Sequence, residues 1–245
     1  MSKQMQHNER HEKILNYLRE HKAARVSELA QLLFVSETTV RRELEAMQRL
    51  GLAERTHGGA ILHESADEIS VFVRAKANPR EKEKLAVTAQ ALLPDFTTLF
   101  LDSSTTALTL AGRLDLRRKT VVTNSLQAAM LLSKKSSITP VMLGGEVSYR
   151  SDSVAGSMTV RQLGEFRFDL MIASCAAVTE EGAFENSLGI CEVKKAAFAN
   201  SRKRILLADA GKFNTRGTYL LAPLDGFDLV VTDREPTFVA ENFRF

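Results

Sequence analysis

The sequence predicts an α/β protein in two domains, on three observations. Through about Leu62 the apolar residues recur at helical spacing in short blocks. From about Leu85 onward, apolar runs of strand type alternate with helical patterns, as in a βαβ series. Between them lies HESADEISVFVRAKANPREKEK, polar and highly charged, with few large apolar residues before its helical end. The expected boundaries are residues 1–62 for the first domain, 63–78 for a linker and 79–245 for the second domain. With 245 residues and 44% hydrophobic content, the chain can bury a sizeable core.

Composition excludes several classes. No apolar run approaches the ~20 residues that span a bilayer, and the start, MSKQMQHNERHEKIL, lacks the continuous apolar segment of a secretory signal. The expectation is a cytoplasmic protein with no membrane partner. Cys175 and Cys191 form no CxxC pair, and the histidines His7, His11, His21, His57 and His63 show no ligand spacing, so neither a metal site nor a cofactor is expected. A net charge of +3, from 33 basic and 30 acidic residues, is too small to indicate a nucleic-acid partner by itself. Any such partner must be argued from local arrangement.

In the first domain, Ile14, Leu15 and Leu18 mark a first helix, and Ser27 reads as the cap of a second, ELAQLLF. Only Val35 and Ser36 then precede a third, in the stretch SETTVRREL, with Ser36 as its cap. Two helices joined by so tight a turn resemble a helix-turn-helix. Rotation of about 100° per residue puts Val40, Leu44 and Met47 on one core-facing stripe. Thr38, Arg42, Glu45 and Arg49 then face away, with Thr39 and Arg41 on the flanks. Hydroxyls and guanidiniums near a helix N-terminus suit phosphates and base edges in a major groove, so Ser36, Thr38, Thr39, Arg41, Arg42 and Arg49 are candidate DNA contacts. After Gly51 stops the helix, LAERTHGGAIL gives two strand-like pieces around His57-Gly58-Gly59, a wing with Arg55 and His57 at its tip. Charge supports this only slightly: residues 1–60 carry ten basic and eight acidic side chains, and Glu37, Glu43 and Glu45 oppose phosphate contact. An Arg on a wet helix face is ordinary; the whole order of elements is what points to double-stranded DNA.

The second domain opens at Asn78-Pro79-Arg80-Glu81, where Asn reads as the cap, Pro fills the first helical position and Glu81 stands three residues after the cap. Residues 99–101 read as a strand, 102–106 as a loop and 107–114 as a helix; 120–122, 123–125 and 126–132 repeat that order. Hydroxyls and free N–H groups therefore meet at two helix N-termini, which favours an anionic ligand such as phosphate. In a parallel sheet both loops leave the same carboxyl edge, where ligands of open α/β folds bind. The candidate effector contacts are Asp102, Ser103, Ser104, Thr105, Thr106, Thr123, Asn124 and Ser125. Gly144 and Gly145 join them after a third strand at 140–143, since glycine permits close backbone approach. Lys194, expected where KKAAF begins a later helix, and Lys212, in the loop after ILLADAGKF's strand, add positive charge, and Asp209 can take sugar hydroxyls. The plainer reading of these groups is also available, because Ser and Thr after strands commonly cap helices, and an aspartate there commonly satisfies backbone N–H groups. Cys175 reads as packing.

ELAQLLFVSETTVRRELEAMQRLGLAERTHGGA resembles the DNA-binding signature of DeoR-family bacterial transcription regulators. LFLDSSTTALTLAGRL, TVVTNSLQAA, VMLGGEV and ILLADAGKF are similar to successive motifs of that family's C-terminal sensor domain, with Ser104 at the usual glycine of the Asp-Ser-Gly-Thr-Thr motif. The resemblance spans nearly the whole chain. It implies a winged helix-turn-helix followed by an α/β sensor domain related to ribose-5-phosphate isomerase, responding to phosphorylated sugars or related metabolites.

The expected function is therefore a DNA-binding regulator, a repressor of a sugar-metabolism operon, acting on operator DNA as a homo-oligomer under a small-molecule effector. The alternative is a sugar-phosphate isomerase-like enzyme with an accessory winged domain, in which Asp102, Asp209 and Lys212 move protons. No catalytic residue is assigned, because acid-base work needs a positioned pair and these motifs supply hydroxyls and glycines. A winged protein-interaction module without DNA contact is the third class.

Overall fold

The computed structural model describes residues 3–49, 53–61, 71–148 and 150–245. The Gly51 stop, the first part of the expected linker and the side chain of Arg49 lie outside the described residues. The chain divides into two compact units, Met1–Phe72 and Val73–Phe245.

The first unit runs α1 (Lys3–His21), β1 (Ala23–Arg25), α2 (Val26–Leu33), α3 (Glu37–Arg49), β2 (Glu54–Arg55) and β3 (Gly59–Ile61). Ile14, Leu18, Leu29, Val40, Leu44 and Met47 are fully buried, so the 3.6-residue stripe read from the sequence is the core of the unit. The helical start of α2 corrects one expectation. Arg25, in extended conformation, is the N-cap, its N–H donating to Glu28 Oε2 at 2.8 Å, and Ser27 lies inside the first turn. The apolar Val26, buried at the helix start, sets that boundary. Phe34 ends α2 in the left-handed region at φ 54°, and Ser36 Oγ then accepts from Thr39 N at 3.2 Å to open α3. The wing hairpin gains a third strand that the sequence reading missed: β1 pairs antiparallel with β3 in the order β1-β3-β2. Gly59 is required there, because a Cβ would stand 1.9 Å from Ala24 O.

The helix α4 (Val71–Lys76), within the expected linker, straddles the division between the two units, and the second unit continues with α5 (Pro79–Leu92). Asn78 does not cap α5 with its side chain. It sits at φ 49° and sends Nδ2 to Asp209 Oδ1 at 3.5 Å, so the two helices turn within residues 77–78. Then follow β4 (Thr98–Leu101), α6 (Thr105–Arg113), β5 (Thr120–Thr123), α7 (Leu126–Leu132), β6 (Thr139–Met142), β7 (Glu146–Ser148), β8 (Ser153–Ala155), α8 (Ser157–Leu163) and β9 (Phe168–Ser174). The chain ends with β10 (Ala177–Thr179), β11 (Gly182–Glu185), α9 (Leu188–Ala199), β12 (Ser201–Leu207), β13 (Tyr219–Ala222), β14 (Leu229–Val231) and β15 (Phe243–Arg244). Seven strands make one parallel sheet in the order β15-β14-β12-β9-β4-β5-β6, and β10-β11-β13 form a small antiparallel sheet beside it. Alternation along each strand loads both faces: Leu99 and Leu101 pack with Leu85, Ala86, Leu110 and Val121, while Phe100 turns to Met171, Ala173 and Val193.

Strand order reverses between β4 and β9. From β4 the chain steps outward to β5 and β6, then returns to the other side of β4 and proceeds through β9, β12 and β14. The loops after β4 and β9 therefore diverge at their carboxyl ends, and a crevice opens there.

Candidate DNA face and effector site

The candidate DNA residues lie on one side of α3 and on the wing. Ser36, Thr38, Arg41, Arg42, Arg55 and His57 are exposed, Thr39 is half-buried, and Val40, Leu44 and Met47 are fully enclosed. Three of these side chains are partly engaged. Ser36 Oγ and Thr39 Oγ1 are 2.9 Å apart, and Arg41 pairs with Glu37, one turn back, at 3.0 Å. Arg42 has no ion pair among the described residues. Glu43 corrects the expectation that it opposes phosphate: it is buried, and receives Arg10 Nε at 2.7 Å, with His11 Nε2 at 2.9 Å from its other oxygen. Its position, three after Val40 and four before Met47, puts it on the core stripe; that spacing was the available signal.

At the crevice of the second unit, Asp102 follows β4 and is buried. Its Oδ1 accepts from Ser104 N at 3.0 Å and Ser104 Oγ at 2.5 Å; its Oδ2 accepts from Ser174 N at 2.9 Å and Lys194 Nζ at 2.8 Å. Lys194 also donates to Glu185 Oε1 at 2.5 Å and Ser174 O at 2.7 Å. Burial opposes the charge on Asp102, but the Lys194 ammonium and the donors from Ser104 and Ser174 outweigh it and hold the carboxyl below the usual range. Burial likewise opposes the Lys194 charge, and Asp102 and Glu185 more than reverse it. These contacts correct two expectations. Lys194 lies within α9, not at its start, and all three of its donors are used inside the protein. Asp102 has every oxygen occupied. Both belong to the framework of the crevice, which clamps β4 to β9, rather than to its open surface.

Around this clamp the hydroxyls take mixed roles. Ser104 and Ser125 cap α6 and α7, accepting from Ala107 N at 3.1 Å and Ala128 N at 3.2 Å. The helix α6 starts at Thr105, two residues earlier than expected, because Ser104 is its cap. The N–H groups of Thr105 and Thr106 have no partner among the described residues. Asn124 Nδ2 reaches Ser103 Oγ at 3.4 Å and Val154 O at 3.1 Å, tying the loop after β5 to the loop after β4. Thr123 Oγ1 accepts from Ser125 N at 3.0 Å. On the other side, Lys212 Nζ donates to Ser174 Oγ at 2.7 Å with Asp209 Oδ2 3.9 Å away, and keeps part of its side chain exposed. Asp209 also meets Asn78.

Gly144 and Gly145, expected at the crevice, already have a packing partner. They follow β6, the edge strand, and lie against α8: Gly144 N donates to Gln162 Oε1 at 3.0 Å, Thr159 Oγ1 donates to Gly144 O at 2.9 Å, and a Cβ on Gly145 would stand 2.1 Å from Thr159 Oγ1. Close approach is needed there, to a helix rather than to a ligand. Sequence reasoning missed Glu185, Ser174 and Lys82. Burial and the nearby Lys212 bring the Lys82 ammonium down to about 8. Cys175 is buried, as expected of a packing residue, and burial pushes its thiol up to about 12. Among the described residues no helix is long and apolar enough to cross a membrane.

Residues 10–66 match the DeoR-like helix-turn-helix domain, and residues 77–234 match the DeoR C terminal sensor domain. The chain is 31% identical to the HTH-type transcriptional repressor GlcR of Bacillus subtilis (strain 168) over 91% of this chain and 87% of that protein. It is 29% identical to the glycerol-3-phosphate regulon repressor of Escherichia coli (strain K12) over 95% and 93%. Among solved structures, ribose 5-phosphate isomerase A from Methanocaldococcus jannaschii aligns with a TM-score of 0.41 at 20% identity, over 56% of this chain and 55% of that one. The isomerase alternative is not supported, since the family and the named relatives are regulators. With both domains matched in order, and the sensor match alone spanning more than half of the chain, the protein belongs to the DeoR family and is a DNA-binding transcriptional regulator with a C-terminal α/β sensor domain.

Proposed function

We propose that the protein is a cytoplasmic repressor of a carbohydrate-metabolism operon, released or engaged by a phosphorylated sugar or related metabolite. Residues 1–62 form the reading head, and Ser36, Thr38, Thr39, Arg41, Arg42, Arg49, Arg55 and His57 are the proposed operator contacts. The head is small, and a single head makes few phosphate contacts, so a homo-oligomer on repeated half-sites supplies the remaining affinity through effective concentration. Residues 79–245 form the sensor.

The observation that carries the effector reading is the open end of α6. Its first two N–H groups lack partners among the described residues, its dipole favours an anion, and Lys212, beside Ser174 after β9, keeps part of its side chain exposed. Ser103, Thr105, Thr106, Asn124 and Asp209 supply the polar groups that a sugar would meet around that anion. The name of the Escherichia coli relative, a glycerol-3-phosphate regulon repressor, fits an organic phosphate as ligand class.

Operator mobility shifts with a panel of sugar phosphates, glycerol 3-phosphate and the matching free sugars test this. At least one phosphate should change operator affinity while its unphosphorylated sugar does not. A response to free sugars alone, or to none of the panel, overturns the reading.

A further inference from the structure

The α4–α5 junction spans the crevice from one side to the other. On the β4 side, Thr105 Oγ1 donates to Arg74 O at 3.5 Å; on the β12 side, Asn78 Nδ2 donates to Asp209 Oδ1 at 3.5 Å. Between these two supports, Lys82 sends its ammonium back from the first turn of α5 to Arg74 O and to Ala77 O, the latter at 2.6 Å. The last carbonyls of a helix have no partner within it and carry the negative end of its dipole, so a buried ammonium is their natural complement. Lys82 thus closes the C-terminal end of α4 from beneath, and Thr105 closes it from the side.

The two donors meet at one acceptor, Arg74 O, which brings Lys82 to the first turn of α6. Thr105 is the first residue of α6, whose unpartnered N–H groups mark the anion end of the crevice. Lys82 is 7% exposed, uses two of its three N–H groups, and has no partner for the third among the described residues. Lys212 is near enough for its charge to oppose that of Lys82. Asp209 and Glu81 offset part of this, but the cations Lys82, Lys212 and Arg74 outnumber the two carboxylates that act on Lys82, so the place is short of negative charge. An anion between Lys82 and Lys212 relieves that deficit.

We propose that Lys82 and Thr105 form an effector-sensitive latch: without effector they hold the C-terminal turn of α4, and an anionic effector in the crevice draws both donors to itself and lets α4 loosen. The proposal rests on the crevice being the effector site. In sequence, α4 is the first described element after residues 62–70 and the division between the two units falls within it, so α4 is the covalent route by which a change at the crevice reaches the winged domain. Coupling arises because the effector has different affinities for the latched and unlatched states.

The test is hydrogen–deuterium exchange of the full-length protein at residues 71–77, with inorganic phosphate and with each compound of a sugar-phosphate panel, beside thermal shift in the wild type and in Lys212→Ala. A compound that raises the melting temperature of the wild type but not of Lys212→Ala should accelerate exchange at 71–77 about tenfold, the loss of one charge-assisted hydrogen bond. Without any added anion, Lys82→Met should show the same acceleration and should move operator affinity in the direction the compound moves it. Should Lys82→Met not fold, Thr105→Val carries the same expectation with a smaller effect. Binding that depends on Lys212 but leaves exchange at 71–77 unchanged or slower overturns the latch and keeps the crevice as the effector site. Binding indifferent to Lys212, or no binding across the panel, removes the crevice as the site and the latch with it. Unchanged exchange in a folded Lys82→Met or Thr105→Val protein overturns the latch whatever binds.

Discussion

Lys194 Nζ lies 2.8 Å from Asp102 Oδ2, with both side chains almost wholly buried, and this ion pair joins the end of β4 to α9 beneath the crevice. Lys194→Met should cost the sensor unit about 3 to 5 kcal/mol, because it leaves Asp102 and Glu185 buried and unpaired. Denaturant unfolding of the full-length protein reads this directly; a loss under ~1 kcal/mol would show that the carboxylates find other partners.

The same pair sets a pH window. Asp102 is held below its ordinary value of 3.8, so its contribution is complete above that pH and is lost as pH falls through the folded value. Lys194 is held above 10.5, so its contribution is complete below that pH and is lost as pH rises through the folded value. The pair should therefore contribute a constant amount from about pH 4 to about pH 10. In Lys194→Met burial is left to raise the Asp102 carboxyl, and the variant should regain stability on acidification toward pH 5. A variant whose melting temperature falls in parallel with the wild type over that range contradicts the assignment.

In the winged unit, Glu43 is the corresponding buried carboxylate. Glu43→Ala strands Arg10 and His11 and should lower stability by about 1.5 to 3 kcal/mol, while Glu45→Ala on the wet face should change it by less than about 0.5 kcal/mol. Equal effects at the two positions would mean that Glu43 is not held in the core.

The outward face of α3 makes a graded prediction for DNA. Arg42→Ala should weaken operator binding by about 1 to 3 kcal/mol without loss of fold. Arg41 must first leave Glu37, so Arg41→Ala should cost less, and Glu37→Ala should strengthen binding slightly by freeing it. Val40→Asp, by contrast, should unfold the unit, since it buries a charge among Leu44 and Met47. Fluorescence anisotropy with operator DNA, beside circular dichroism, separates the two kinds of loss. Unchanged affinity in both arginine variants would remove α3 from the groove.

What the sequence made legible was what period and spacing encode. Val40, Leu44 and Met47 announce their stripe at 3.6 residues per turn, and the strand–loop–helix order around Asp102 and Thr123 announces a parallel sheet and its carboxyl edge. Glu43 sits on that stripe, but its charge alone suggests opposition to phosphate, because its burial depends on Arg10, 33 positions away. Lys194 and Asp102 are separated by seven strands and three helices in the chain, so no local pattern reveals that each neutralises the other. Gly144 and Gly145 carried a true signal of close approach; its partner, Thr159, is supplied by tertiary packing. The strands β10, β11 and β13 are three or four residues long, too short for alternation to stand out.

Lys212 is the crevice cation that the framework leaves most available, and its replacement separates sensing from DNA binding. Its ammonium makes one hydrogen bond, to Ser174 Oγ, and a distant contact with Asp209, so Lys212→Ala removes little that the fold requires. Operator affinity without effector should stay within about twofold of the wild type. The effector concentration for half-maximal response should rise about ten- to a hundredfold, as expected when a charge-assisted contact of about 1.5 to 3 kcal/mol to a phosphate is lost. The result is an unresponsive regulator rather than an inactive one, because an effector shifts DNA affinity only by as much as it discriminates between the two states. Lys212→Arg should recover part of the response by restoring the charge. Titration of operator-bound protein with the active sugar phosphate, for wild type and both variants, decides it: identical half-response concentrations would move the anion site away from Lys212 and leave the hydroxyls of Ser104 and Ser125 as the helix caps they already are.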